Sequence, residues 1–223
     1  IKMSKRFPEF VVNPSDVVEE LGADTLRLYE MFMGPLEVSK PWNDDNVQGA
    51  RRFINRVWNF FTEAENLTDD NDGKLEKVYH QTVKKVTGDF ETLGFNTAIS
   101  QMMIFVNEVY KNGTCPREYA EGLVKMLSCI CPHVGEEIWQ IMGHDQTIAF
   151  EAWPEYDEAK TVENTVEIAV QINGKTKATL EINKDDPKED VLAKAKELLG
   201  DKLAGNIVKE IYVPGKIVNI VAK

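Results

Sequence analysis

Asp44-Asp45-Asn46-Val47-Gln48-Gly49-Ala50-Arg51-Arg52-Phe53-Ile54-Asn55-Arg56-Val57-Trp58-Asn59-Phe60-Phe61 is the stretch on which the fold turns. Its apolar residues Ala50, Phe53, Ile54, Val57, Trp58 and Phe61 recur at helical intervals. A 3.6-residue helix gathers such positions on one face, whereas the two-residue period of a strand scatters them. Asn43 or Asp44 stands in front as a cap, because a short polar side chain accepts from the amides that an opening helix leaves unpaired. The spacing therefore predicts an amphipathic helix whose apolar stripe needs partners.

Four further helices supply them. One follows the turn Asn71-Asp72-Gly73 with Leu75, Val78, Tyr79, Val83, Val86 and Phe90 inward. The next is predicted to start at Asn96, to bury Ile99, Met102, Met103, Val106 and Tyr110, and to stop at Gly113. The fourth has Pro116 in its first turn and carries Leu123, Val124, Leu127 and Ile130. Pro132 breaks it, and a fifth carries Val134, Ile138, Trp139 and Met142 before Gly143. Short loops between amphipathic helices indicate a bundle over residues 46–143. Phe53, Trp58, Phe61 and Trp139 lie on these stripes and read as core, not as platforms for stacking bases.

Upstream, residues 1–45 mix a basic loop with a strand candidate at Phe10-Val11-Val12, a turn at Asn13–Asp16, and helices over Val17–Leu21 and Asp24–Phe32. Downstream, residues 144–162 contain Trp153-Pro154 among acids and read as a linker. The period then changes to two. Val166, Ile168, Val170 and Ile172 alternate with Glu167, Ala169 and Gln171, Asn173-Gly174 signals a hairpin, and Lys175–Ile182 returns. A helix opens at Asp186-Pro187 and runs to Leu199, and strands at Ile207–Val213 and Ile217–Val221 flank Pro214-Gly215. The fold class is mainly α: a helical bundle followed by a small α+β domain, 163–223, in the order β-β-α-β-β.

Composition narrows the function classes. No stretch approaches the roughly 20 apolar residues that span a bilayer, and no signal peptide is visible, so no membrane partner is expected. Three cysteines, Cys115, Cys129 and Cys131, are an odd set in a chain too large to need staples, which points to a reducing, cytoplasmic setting. Cys129-x-Cys131 with His133 offers at most three ligands and matches no common zinc spacing, so no metal is assigned. His133, after a proline at a helix start, reads as a cap or packing residue.

The net charge of −11 does not advertise nucleic-acid binding, but it is uneven. Residues 160–223 hold 11 Lys against 10 acids, which leaves the remainder at −12. Contact with RNA must therefore use local strips. The candidates are Arg51, Arg52 and Arg56; Lys74, Lys77, Lys84 and Lys85; Lys111 with Arg117; and, in the terminal domain, Lys175, Lys177, Lys209, Lys216 and Lys223. The competing reading of each is a solvated face held by internal ion pairs. Lys188, Lys194 and Lys196 alternate with acids and read as solvated.

Lys2-Met3-Ser4-Lys5 is the run that class I aminoacyl-tRNA synthetases carry in a mobile loop beside ATP. Gly22-Ala23-Asp24-Thr25-Leu26-Arg27-Leu28-Tyr29-Glu30-Met31-Phe32-Met33-Gly34-Pro35-Leu36 and Arg52-Phe53-Ile54-Asn55-Arg56-Val57-Trp58 follow it. Together they resemble the leucyl enzymes more closely than the valyl or isoleucyl ones. Phe95-Asn96-Thr97-Ala98-Ile99, Pro132-His133-Val134-Gly135-Glu136-Glu137-Ile138-Trp139 and the ending Tyr212–Val221 extend the resemblance, to bacterial leucyl-tRNA synthetases, over essentially the whole chain. Arg6 stands where the family usually has Ser, followed by Phe7-Pro8-Glu9.

The resemblance implies a full-length enzyme that activates leucine with ATP and Mg2+ and charges leucine tRNA. It implies that Lys2 and Lys5 steady the charge moving onto pyrophosphate, with Met3 and Ser4 setting the loop's packing and hydrogen bonding at ATP. The nucleotide-binding fold, the leucine pocket and the editing domain would all precede Ile1, which reads as a boundary inside a longer chain. This part alone is thus expected to be inactive, monomeric and without a cofactor. The bundle (Arg52, Arg56, Lys84, Lys85) and the terminal domain (Lys209, Lys216) are expected to meet tRNA, with residues 1–45 closing the catalytic domain. The alternatives are a protein-interaction module with no RNA role, or part of a valyl or isoleucyl enzyme.

Overall fold

Asn43 has extended backbone and its Oδ1 accepts from the Asn46 amide at 3.0 Å, so the central helix opens where its cap dictates. The computed structural model describes residues 11–162, 165–183, 186–200, 203 and 205–222. Contacts divide the chain into two units, Ile1–Thr161 and Val162–Lys223.

The first unit is helical: α1 Pro14–Leu21, α2 Ala23–Phe32, α3 Asp44–Phe61, α4 Glu76–Glu91, α5 Phe95–Asn112, α6 Arg117–Ser128 and α7 Pro132–Ile141. One core joins all seven. Leu28 and Tyr29 of α2 lie in it with Phe61, Val86, Met102, Leu127 and Trp139, so α1 and α2 share the bundle's interior. The sequence boundary at residue 45 therefore crosses a continuous core. Two short parallel strands, β1 Leu67–Thr68 and β2 Cys115–Pro116, tie the loops at one end.

Four local expectations need correction. Val11 and Val12, the described part of the strand candidate, form no strand. The helix expected from Asn96 starts at Phe95 behind Gly94, because Leu93 adopts φ 60 and turns the chain there. A leucine in the left-handed region carries no sequence signal. Trp58 is 37% exposed while Phe60 is buried. Trp58 sits about 100° round the helix from Val57, at the margin of the stripe. Tyr110 is also exposed, its ring 5.1 Å from Phe60 and its hydroxyl donating to the Arg56 carbonyl at 2.8 Å.

The segment read as a linker is a strap laid on α4. Trp153 Nε1 donates to Thr87 Oγ1 at 2.8 Å, the Asp157 amide to His80 Nδ1 at 3.2 Å, and Gln81 Nε2 to the Thr161 carbonyl at 2.8 Å. Trp153 also packs 5.5 Å from Phe90. An acidic, proline-containing stretch suggests a free connector, but one half-buried tryptophan anchors it.

The second unit holds β3 Thr165–Ile172, β4 Lys175–Asn183, α8 Lys188–Leu199, β5 Ile207–Val213 and β6 Ile217–Ala222. The sheet order is β4-β3-β6-β5, with β3 and β6 parallel at the centre and an antiparallel hairpin on each side. Asn173 and Gly174 both have positive φ, as a tight two-residue hairpin demands. Asn173 does more: its Nδ2 donates to the Ala222 carbonyl at 2.9 Å and its Oδ1 accepts from the Ala222 amide at 3.1 Å, locking the turn to β6. Ile168, Val170, Val218 and Ile220 form the inner face under Val191, Leu192 and Ala195 of α8.

Gly135 marks the tightest approach between α7 and α6. A Cβ there would lie 2.6 Å from Ser128 Cβ and 2.9 Å from its Cα. Backbone cannot yield cheaply, so Gly135→Ala is expected to cost about 1–3 kcal/mol by overpacking, read as a lower urea midpoint with an unchanged slope.

Candidate nucleic-acid interface

An acidic chain meets an RNA backbone only where cations remain available, so the partners of each predicted cation decide the interface. On α3, Arg51 is used internally, its Nη1 donating to the Leu21 carbonyl at 3.3 Å and closing α1. Arg52, one turn before Arg56, is exposed, and its guanidinium makes no hydrogen bond or ion pair among the described residues. Arg56 Nη1 donates to Asn107 Oδ1 at 2.8 Å, and its guanidinium lies 4.6 Å over the Tyr110 ring. These contacts fix the plane of Arg56 without neutralising it. With Ile104, Glu108 and Lys111 they line a groove of about 480 Å³ between α3 and α5.

The α4 strip is different. Lys84 pairs with Glu158 of the strap, and that hydrogen bond holds its ammonium above the usual lysine range. Lys85 pairs with Asp89 at 2.5 Å, Lys74 with Asp72 at 2.7 Å, and Lys77 is engaged as well. Burial, then the nearby Lys160, pushes the His80 ring below the usual histidine range, and its Nδ1 accepts from the Asp157 amide. Lys111 pairs with Glu108 at 2.6 Å, and Arg117 Nη1 donates to the Met142 carbonyl at 3.2 Å.

In the terminal unit the balance reverses. Lys175, Lys177, Lys209 and Lys216 are exposed and make no side-chain pair among the described residues. Lys188 is likewise unpaired, while Lys194 pairs with Asp186 at 2.9 Å and Lys196 with Glu210 at 3.1 Å. Register separates two of the free lysines. Lys209 lies opposite Val221 near one end of the sheet, while Lys216 precedes the Val213–Ile217 pair at the other. The structure thus gathers Arg52 with Arg56 and leaves Lys209 and Lys216 apart. Lys2, Met3, Ser4, Lys5 and Lys223 lie outside the described residues.

The family profile for the anticodon-binding domain of tRNA ligases matches residues 72–193, more than half of the chain. The chain belongs to that family. The match runs from α4 through the strap into α8, so Arg52 and Arg56 precede it and Lys209 and Lys216 follow it. The chain is also similar to a solved ternary complex, Agrobacterium radiobacter K84 agnB2 LeuRS with tRNA and LeuAMS. The TM-score is 0.68 at 28% identity over 100% of this chain, which spans 32% of that one.

Sequence reasoning missed the polar groups that set the helix geometry of this anticodon-binding domain. Asp24 is buried on α2, yet its Oδ2 accepts from the Val134 amide at 2.7 Å and its Oδ1 binds His133 Nδ1 at 2.8 Å. It thereby caps α7 from another helix, where a helix start favours negative charge. One turn on, Arg27 Nε donates to the Ile130 carbonyl at 2.7 Å and Nη2 to the Cys129 carbonyl at 3.4 Å, serving the end of α6. Asp24-x-x-Arg27 in the sequence could have prompted the search, since i, i+3 groups share a helix face.

The thiols divide as well. Burial pushes the Cys115 thiol up to about 12 and raises Cys131 and Cys129 as well, but of the three only Cys129 is exposed. No group of three or more His, Cys, Asp or Glu side chains suited to a metal occurs among the described residues. One thiol per folded chain should react with a maleimide-type or disulfide reagent at neutral pH, and three after denaturation. More than one fast thiol in the native state would contradict the burial of Cys115 and Cys131.

Proposed function

We propose that this chain is the tRNA-binding, C-terminal part of a leucine–tRNA ligase. The observation that carries the reading is that the whole chain aligns with LeuRS in a complex containing tRNA, while the anticodon-binding family covers its middle. Phosphates would be met by the unpaired cations: Arg52 and Arg56 on α3 for the bundle, and Lys209 and Lys216 for the terminal unit. Shape and backbone recognition suits such a surface, since the described sheet offers lysines and few exposed aromatics.

In the full-length enzyme, leucine would be activated by ATP with Mg2+ and passed to leucine tRNA. Leucine activation moves negative charge onto departing pyrophosphate, and Lys2 and Lys5 would stabilise it from a mobile loop, with Met3 and Ser4 beside ATP. The present chain spans a third of such an enzyme, so we expect it to bind tRNA as a monomer and to catalyse nothing by itself. The net charge of −11 and the internal pairing of α4 favour a second reading, a protein-interaction module without RNA.

Titration of the chain with leucine tRNA and with an unrelated tRNA over a salt series separates the two. The proposal expects weak binding that prefers leucine tRNA and fades with salt. Lys209→Ala and Lys216→Ala should each flatten the log–log salt slope by about one. Absence of binding by either tRNA at low salt would leave the interaction-module reading in its place.

A further inference from the structure

The strap places carboxylates where an RNA backbone would lie if α4 took part in binding. Glu151, Glu155, Asp157 and Glu158 put four acids within eight residues, and the C-terminal part of this run is laid along the helix that carries Lys77, His80, Lys84 and Lys85. Glu158 engages the Lys84 ammonium directly, and the Asp157 amide is held by His80. A groove of about 390 Å³ opens beside this contact, lined by Gln81, Lys84, Lys85, Gly88, Asp89 and Thr161. The Asp89 Oδ2 in this groove is buried without a partner among the described residues.

The holding forces differ along the strap. Trp153 is packed against Phe90 and bonded to Thr87, a half-buried anchor. Beyond it two ties are exposed ion pairs, beside neutral hydrogen bonds from the Asp157 amide to His80 and from Gln81 to the Thr161 carbonyl. Glu158 retains 64% and Lys84 46% of their side-chain accessibility, and Lys160 meets Glu76 at 2.7 Å with 42% and 35%. Exposed pairs of this kind are weak and salt-sensitive, and a phosphate can replace a carboxylate on an ammonium with little loss of geometry.

We propose that residues 155–161 are an intramolecular competitor for RNA phosphate on α4: Glu158 occupies Lys84 in the free protein and is displaced when a phosphate takes its place. The strap then hinges at Trp153, which stays seated. This rests on the tRNA-binding reading above and adds to it a regulated phosphate site that is closed in the free chain.

The test is tRNA affinity of the intact chain over a salt series for Glu158→Gln, Lys84→Ala and the double variant, with hydrogen exchange of residues 155–161. Glu158→Gln keeps the shape of the side chain and removes its charge. The proposal expects it to tighten binding about threefold at low salt and to steepen the salt slope by about one, the increment of one phosphate contact. Lys84→Ala in the same chain should erase that gain. Hydrogen exchange at the Asp157 amide should rise when tRNA binds. Unchanged affinity and slope in Glu158→Gln, with tRNA still bound, would overturn the competition alone. Failure of every variant to bind tRNA would instead overturn the tRNA reading and the competition together.

Discussion

Availability of positive charge is the constraint on which any nucleic-acid role of this acidic chain depends. A chain at −11 repels a polyanion at long range, so binding must be local and must use cations that neighbouring carboxylates leave free or give up. The two units answer that constraint differently. In the helical unit most basic side chains are committed to carbonyls or carboxylates, as Arg51, Lys85 and Lys111 show. Arg56 is held by a neutral amide and an aromatic face, which orient the guanidinium and leave its charge unopposed. In the terminal unit the exposed lysines on the strands and turns stand without partners among the described residues.

The rigidity of the helical unit has a separate source. Asp24 and Arg27 sit one turn apart on α2 and serve opposite helix ends, an anion at the start of α7 and a cation at the end of α6. The buried carboxylate is satisfied by an amide and an imidazole, so its desolvation is offset by charge-assisted hydrogen bonds. Gly135 allows α7 to come within contact of Ser128 at the same elbow. The angle between α6 and α7 is therefore set by α2. The strap fixes the other flank of the bundle through Trp153, which leaves α3 and the outer end of α5 as open surface.

Much of this fold was legible because the signals were local. The stripe from Ala50 to Phe61, the left-handed stop at Gly113, Pro132 at the start of α7 and the Asn173-Gly174 hairpin each follow from local residue chemistry. The failures were relational. Trp58 sat on the predicted stripe but fell at its edge, because the width of a buried face depends on which helices arrive. Residues 144–162 read as a linker because composition cannot show that Thr87 offers Trp153 a hydroxyl 66 positions away. The candidate site was legible as a set of cations; which of them remain free was not, since pairing with Glu158 is a fact of tertiary structure.

Cations that are free, or in the case of Lys84 released when Glu158 gives way, form the RNA surface, rather than all basic residues. Lysine-reactivity footprinting of the intact chain, with and without leucine tRNA, tests it most directly. The account predicts protection at Lys209 and Lys216 on tRNA binding, with Lys74 and Lys111 unaltered. Uniform protection across paired and unpaired lysines, or protection confined to Lys74 and Lys111, would contradict it.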